Sequence, residues 1–170
     1  MWRSTTGRMR VLKNLLPVAT IPQVQERVRT LNNKEAVYGV LFEVVRRFEA
    51  YLVDLNLIQL EAGKNPEGQL LGTYARSTEL EALFGDGPRP IQPKVEGQPY
   101  NFQWTGGLFD GFTLQIDNDS ATFTSTDPKV PLLTEKYGNL FGLSQEHLQE
   151  AVRDKLYPAF AEEIRKRLLV

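Results

Sequence analysis

Few side chains in this 170-residue sequence could do chemistry. His147 is the only histidine, and it falls in the first turn of a predicted surface helix, where Glu146 beside it points elsewhere. A solvated side chain is therefore favoured over a metal ligand or general base. The sequence has no HExxH motif, P-loop or dinucleotide fingerprint, and no Ser-His pairing is suggested. We therefore predict that the chain is not an enzyme, with no catalytic residue, cofactor or metal.

Two short motifs could bind ions, but each has a simpler conformational interpretation. Asp117 and Asp119 alternate as calcium ligands do, yet the glycine and distal glutamate of an EF-hand loop are missing. Hairpin turns use Asp and Asn for backbone reasons alone. Gly106-Gly107 could suggest a phosphate-binding loop, but no predicted strand precedes it and no predicted helix follows it in the order that such a loop requires. We therefore interpret both motifs as turns.

Basic residues are concentrated near the N-terminus, although 20 basic and 21 acidic side chains nearly cancel over the whole chain. Whole-molecule attraction to nucleic acid is therefore not expected. Residues 1–22 are predicted to form an extended basic arm that contacts DNA phosphates or a partner through Arg3, Arg8, Arg10 and Lys13. A second basic group, 165–167, suits the negative end of a helix dipole.

Length and composition indicate one domain, which we place at residues 23–170. The chain is 41% hydrophobic and has no cysteine, so its stability must come from packing, as in a protein assembled in a reducing cytoplasm. No apolar run approaches the roughly 18 residues of a membrane span, and no export signal is recognisable. We expect no membrane contact.

Two amphipathic helices are predicted to frame this domain. Apolar residues recur at steps of three and four from Val37 to Leu55, which predicts a helix of about 25 residues and close to 40 Å between Asn33 and Gly63. A C-terminal helix is predicted to begin after Ser144, which can cap it. Pro158 is expected to kink or divide this second helix.

A glycine- and proline-rich loop insert and a hairpin are predicted between the helices. The insert covers about 63–100, with a short helix at 77–84. Residues 112–116 and 121–126 alternate apolar with polar, which predicts an antiparallel hairpin. An isolated hairpin is marginal, so a third strand is expected from 94–104 or from another subunit. The predicted fold class is α+β, with the long N-terminal helix and the C-terminal helix packed on a small antiparallel sheet.

Four local patterns together resemble a known family. They are Asp54–Leu60 running into Gly63-Lys64-Asn65, Thr105-Gly106 followed by Phe109 and Gly111-Phe112, Ser125–Lys129 leading to Lys136-Tyr137-Gly138, and Leu140–Ser144. This succession, which covers about residues 34–168, is similar to the virion-morphogenesis, neck and tail-completion (head-tail connector) proteins of bacterial phages. The resemblance implies a long helix on a small antiparallel sheet, in subunits that form a ring.

The resemblance also implies a function and partners. The chain is expected to be a structural virion protein at the head-tail junction, a homo-oligomeric ring subunit that contacts other neck, portal-adaptor or tail-tube proteins. Tyr100, Trp104 and Phe109 are candidate subunit-interface residues, because aromatic side chains often dominate interface energetics; burial in the core is the alternative for each. The alternative function is that of a nucleic-acid-contacting accessory protein that uses the basic arm.

Overall fold

The computed structural model describes residues 20–169 and confirms the α+β class with a small antiparallel sheet. Its elements, in chain order, are α1 (Ile21–Leu31), α2 (Lys34–Arg47), α3 (Glu49–Glu61), α4 (Arg76–Phe84), α5 (Gly107–Asp110), β1 (Phe112–Ile116), β2 (Ala121–Ser125), α6 (Val130–Tyr137), α7 (Gln145–Ala151), a π-helical turn (Val152–Leu156) and α8 (Tyr157–Leu169). Within the described residues, no helix is both long and apolar enough to cross a membrane.

The first described element corrects the predicted arm. Residues 21 and 22 belong to α1, so the extended conformation predicted for 1–22 does not hold at its C-terminal end. Pro22 lies in the first turn, where a missing N–H costs nothing, and the Thr20 N–H donates to Gln23 Oε1 at 2.8 Å. Proline therefore begins a helix here. The four basic residues of the predicted arm lie outside the described residues.

The predicted long helix forms over the expected residues, but it is divided into two. Phe48, with φ −108° and ψ 18°, separates α2 from α3, and its N–H donates to both Val44 O and Val45 O. Asn33 caps α2, since its side-chain oxygen accepts from Glu35 N at 3.0 Å. The predicted short helix is α4.

The hairpin forms with the predicted strands. Phe112 of β1 faces Ser125 of β2, and Leu114 faces Phe123. The predicted third strand at 94–104 is wrong, because the sheet of the described residues has two strands. Phe102 takes a left-handed φ of 52°, which interrupts any extended run there.

Pro158 divides the C-terminal helix as expected, and the division takes the form of a π-helical turn. The Ser144 Oγ accepts from His147 N at 3.3 Å and so caps α7. The π turn follows directly, and the Tyr157 N–H reaches back five residues to Val152 O. Pro158 then lies in the first turn of α8, where its missing N–H is tolerated.

The core lies between α3 and β1, which are in contact. Ala151 at the end of α7 joins the Leu52, Leu55 and Leu114 side chains in one buried cluster. By contrast, α8 lies mainly against α1 and α2, and the residues of the C-terminal helix in the hairpin cluster come from α7 and the π turn. The prediction that this whole helix packs on the sheet is therefore only partly correct.

Two buried amides of α3 hold the segment that leads into α7. Asn56 and Gln59 are 0% and 1% exposed. Gln59 accepts from Ser144 N at 2.7 Å and donates to Gly142 O at 3.0 Å, while Asn56 Oδ1 accepts from Gly142 N at 2.8 Å. Polar side chains in a core must find such partners, because an unpaired buried group is costly. These bonds join two of the four patterns that carry the family resemblance.

Candidate functional site: a lysine–aromatic cavity

The glycine- and proline-rich insert folds back on itself and builds a cavity. Tyr74 N donates to Gln98 O and Gly97 N donates to Tyr74 O, both at 2.9 Å, so the two ends of the insert run side by side. Tyr100 N donates to Gly72 O at 3.2 Å. The segment therefore has defined structure although it contains little regular secondary structure.

Four aromatic rings form one wall of the cavity. Tyr100 is central, with ring centroids 5.0 Å from Tyr74, 5.1 Å from Tyr137 and 6.2 Å from Phe102, all edge to face. Phe102 and Tyr137 are 5.2 Å apart in the same arrangement. Such geometry is favourable for aromatic pairs and makes the wall rigid.

The cavity has a volume of about 300 Å³, at the lower end of the range for ligand sites. It is open to solvent, and α6 and α4 contribute to it along with the insert. Its lining residues are Tyr74, Thr78, Lys94, Tyr100, Phe102, Trp104, Leu133, Lys136 and Tyr137.

Lys94 is the buried charged group of this site, at 3% exposed. Its ammonium donates to Asn101 Oδ1 and, at 3.0 Å, to Gln103 O, and it lies 5.3 Å from the centroid of the Tyr74 ring. All three neighbours are neutral. Burial lowers the pKa of Lys94 to about 8, because the charged form loses solvation.

The lowered pKa of Lys94 predicts a stability that rises with pH. The unfolded chain keeps this proton up to about pH 10.5, whereas the folded chain releases it near pH 8. Between these values the unfolded state holds more protons, so stability increases with pH. From pH 7 to 9.5 the free energy of unfolding of the natural chain should gain about 1 to 2 kcal/mol relative to Lys94→Met. Urea unfolding followed by circular dichroism at each pH measures this.

The comparison with Lys94→Met separates this effect from other titrations. Tyr74, Tyr100, Tyr137, Glu79, Arg89 and Lys136 line the two cavities that Lys94 borders, and both proteins retain them all. Burial raises the pKa of Tyr74, which lowers stability only above about pH 10, outside the range measured. A parallel pH profile for the two proteins would contradict the assignment to Lys94.

The structure brings together two of the three predicted interface residues. Tyr100 and Trp104 line the cavity, and the Trp104 Nε1–H donates to Pro88 O at 2.9 Å. Phe109 instead packs against the buried cluster of Leu60, Phe112 and Leu140. An interface role for all three stays a prediction.

The other residues singled out from the sequence lie apart from this cavity. Asp117 and Asp119 occupy the hairpin turn, as interpreted, and no group of three acidic or histidine side chains suited to a metal forms among residues 20–169. His147 is half-buried, and its Nδ1 is buried with no hydrogen-bond partner in the described part of the chain. Full solvation of this side chain was therefore a wrong expectation.

Sequence reasoning missed Tyr74, Lys94 and Tyr137 as site residues. They lie on three separate segments with no shared period, and only the folding of the insert brings them together. The sequence does predict a loop here, because prolines precede both Lys94 and Tyr100. A prediction of a loop does not indicate which side chains the loop encloses.

Comparison with known proteins gives no relative for this fold or site. No family model matches the chain, and neither the curated proteins nor the solved structures contain a match.

Proposed function

We propose that the chain is a structural virion protein at the phage head-tail junction, a neck or tail-completion subunit that works in an oligomeric ring. The family resemblance of residues 34–168 supports this function. The observation that carries it is a group of exposed apolar side chains on the insert, some of which line a groove that shares Lys94 with the cavity. Such surface is a feature of protein–protein contact sites.

The apolar surface of the insert lies on α4 and on the segment after it. Five large apolar side chains there are exposed: Leu80, Leu83, Phe84, Ile91 and Val95. Phe84 is 75% exposed at the end of α4. A groove of about 300 Å³ runs between α4 and residues 89–95 and shares Lys94 with the cavity. A partner that covered this region would bury an aromatic anchor together with aliphatic neighbours.

The hairpin offers a second contact site to a neighbouring subunit. Thr126 N donates to Gly111 O, and Asp117 N donates to Ser120 O. Because hydrogen-bonded and non-hydrogen-bonded pairs alternate along an antiparallel ladder, the N–H and C=O groups of Ala121 and Phe123 point away from β1. No strand of the described residues lies along that edge of β2. A strand from another subunit could therefore extend the sheet by main-chain hydrogen bonds.

Phe84→Ser is expected to lower incorporation of the chain into particles by about thirtyfold, because the interface would lose an aromatic anchor of about 2 kcal/mol. Tyr157→Ser is a matched control, since Tyr157 is an aromatic residue 67% exposed on α8, away from the insert. Quantitative mass spectrometry of purified particles measures the copy number of each variant. Incorporation of Phe84→Ser at the natural copy number would show that Phe84 makes no contact in the particle.

Cryo-electron microscopy of particles that contain the chain tests the proposed function itself. A ring of copies between the head and the tail is the expected result, and loss of the chain should leave heads and tails unjoined. Density elsewhere in the particle, or complete particles formed without the chain, would overturn the proposal.

A further inference from the structure

The buried ammonium of Lys94 has no counter-ion in the described part of the chain. Its hydrogen-bond acceptors are an amide oxygen and a carbonyl oxygen, and none of the ion pairs formed by residues 20–169 includes it. A buried charge is costly unless a partner compensates it. Among residues 20–169, the groups closest to the charge are two neutral oxygen acceptors and one aromatic ring.

A second lysine lines the same cavity. Lys136 lies on the exposed side of α6, with its Nζ 5.0 Å from the centroid of the Tyr137 ring, and it also takes no part in an ion pair among the described residues. None of the cavity's lining residues is Asp or Glu. The cavity thus carries two positive charges and no negative one, a field that attracts an anion.

The walls restrict what kind of anion can enter. Tyr100, Phe102 and Tyr137 present rings set edge to face, which favour a ligand with an apolar or flat part beside its charge. The Tyr100 hydroxyl makes no hydrogen bond to another described residue, so it is available as a donor. The small volume suits one side chain or a small acid rather than a nucleotide.

We propose that this cavity is a carboxylate-binding site in which Lys94 supplies the buried positive charge and Lys136 the exposed one. A carboxylate beside an apolar group suits the aromatic walls and the small volume, and the lining residues include no arginine to hold a phosphate at two points. An Asp or Glu of a neighbouring subunit or a free organic acid could supply the group. The first source rests on the proposed ring function, and the second does not.

Titration of the full chain with benzoate, benzyl alcohol and benzylamine tests the site. These probes share one ring and differ in charge, and Trp104 fluorescence reports binding once Trp2→Phe removes the other tryptophan. Benzoate is expected to bind at least tenfold more tightly than either other probe, and more weakly as salt increases. Equal affinity for benzoate and benzylamine would overturn the proposal. This comparison needs no lysine variant.

Lysine variants locate the binding within the cavity. Lys94→Met should weaken benzoate binding by about tenfold and Lys136→Met by about threefold, because the buried charge is less screened than the exposed one. Lys155→Met should stay within about twofold, and it is a matched control because Lys155 also lies over a tyrosine ring, that of Tyr51 at 5.7 Å. Thermal melting checks that each variant folds. Unchanged benzoate affinity in both cavity variants would refute the site.

Particle assembly distinguishes the two sources of the carboxylate. If a neighbouring subunit supplies it, Lys94→Met should lower the copy number in particles as well as benzoate affinity. If a free acid supplies it, Lys94→Met should weaken benzoate binding to the same extent and keep its natural copy number. Benzoate selectivity in a chain that is missing from particles would support the site while the proposed function fails, so the two failures are distinguishable.

Discussion

Gln59→Leu is expected to lower the free energy of unfolding by about 3 kcal/mol. The substitution keeps the side chain near its original size at a position that is 1% exposed. It removes both bonds to the segment before α7, so the buried Ser144 N–H and the Gly142 carbonyl lose their partners. An unsatisfied buried polar group costs roughly 1 to 3 kcal/mol. Urea unfolding followed by circular dichroism measures the loss.

Ile58→Gln is the control for this variant, one residue earlier on the same helix. Ile58 is 55% exposed, so adding an amide there should change stability by no more than about 0.5 kcal/mol. A loss below about 1 kcal/mol for Gln59→Leu would mean that other contacts hold residues 140–144. The Gln59 amide would then not be the main link between α3 and α7.

Gly63→Ala should lower the free energy of unfolding by about 3 kcal/mol, for two separable reasons. The φ of Gly63 is 71°, where an alanine is strained by about 1 kcal/mol. Its Cβ would also lie 2.6 Å from the carbonyl oxygen of Tyr100, so the main chain beneath the aromatic wall would have to move. Chemical denaturation gives the total cost, and benzoate affinity is expected to fall along with stability because Tyr100 lines the cavity.

Gly68→Ala separates strain from the close approach. Gly68 has a φ of 76°, nearly that of Gly63, but an added Cβ there would meet no atom within 4 Å. We expect Gly68→Ala to lower the free energy of unfolding by only about 1 kcal/mol, because the backbone strain of an alanine at positive φ is its single cause. Equal losses for the two glycine variants would show that the chain near Tyr100 moves aside freely, and the cavity wall would then not be rigid.

The elements predicted correctly are those with strong local signals. The apolar spacing from Val37 to Leu55 locates α2 and α3, and alternation with an Asp-Asn turn locates the hairpin. The break at Phe48 has no such signal. In α1 no residue is fully buried, and the helix depends on contact with α8, about 130 residues further along the chain, so its own sequence indicated it poorly.

The candidate site was harder to predict, because tertiary contacts create it. Residue type alone makes Tyr100 and Trp104 candidate interface residues, with burial in the core as the alternative, and the structure places both at one cavity. The same criterion selected Phe109, which packs against the core. Lys94 looks like an ordinary loop lysine in the sequence, because its burial and its contacts with Asn101 and Gln103 arise only when the insert folds. Composition gives no indication of such burial.

The π turn at 152–156 makes the fold sensitive to the number of residues in the C-terminal helix. One added residue in a helix rotates every side chain after it by about 100° around the axis. Here the part before the turn joins the hairpin cluster through Ala151, and the part after it lies on α1 and α2. One continuous helical stretch can thus turn differently oriented faces toward the hairpin cluster and toward α1 and α2. Substitutions along this stretch should consequently be tolerated more readily than the insertion or deletion of one residue.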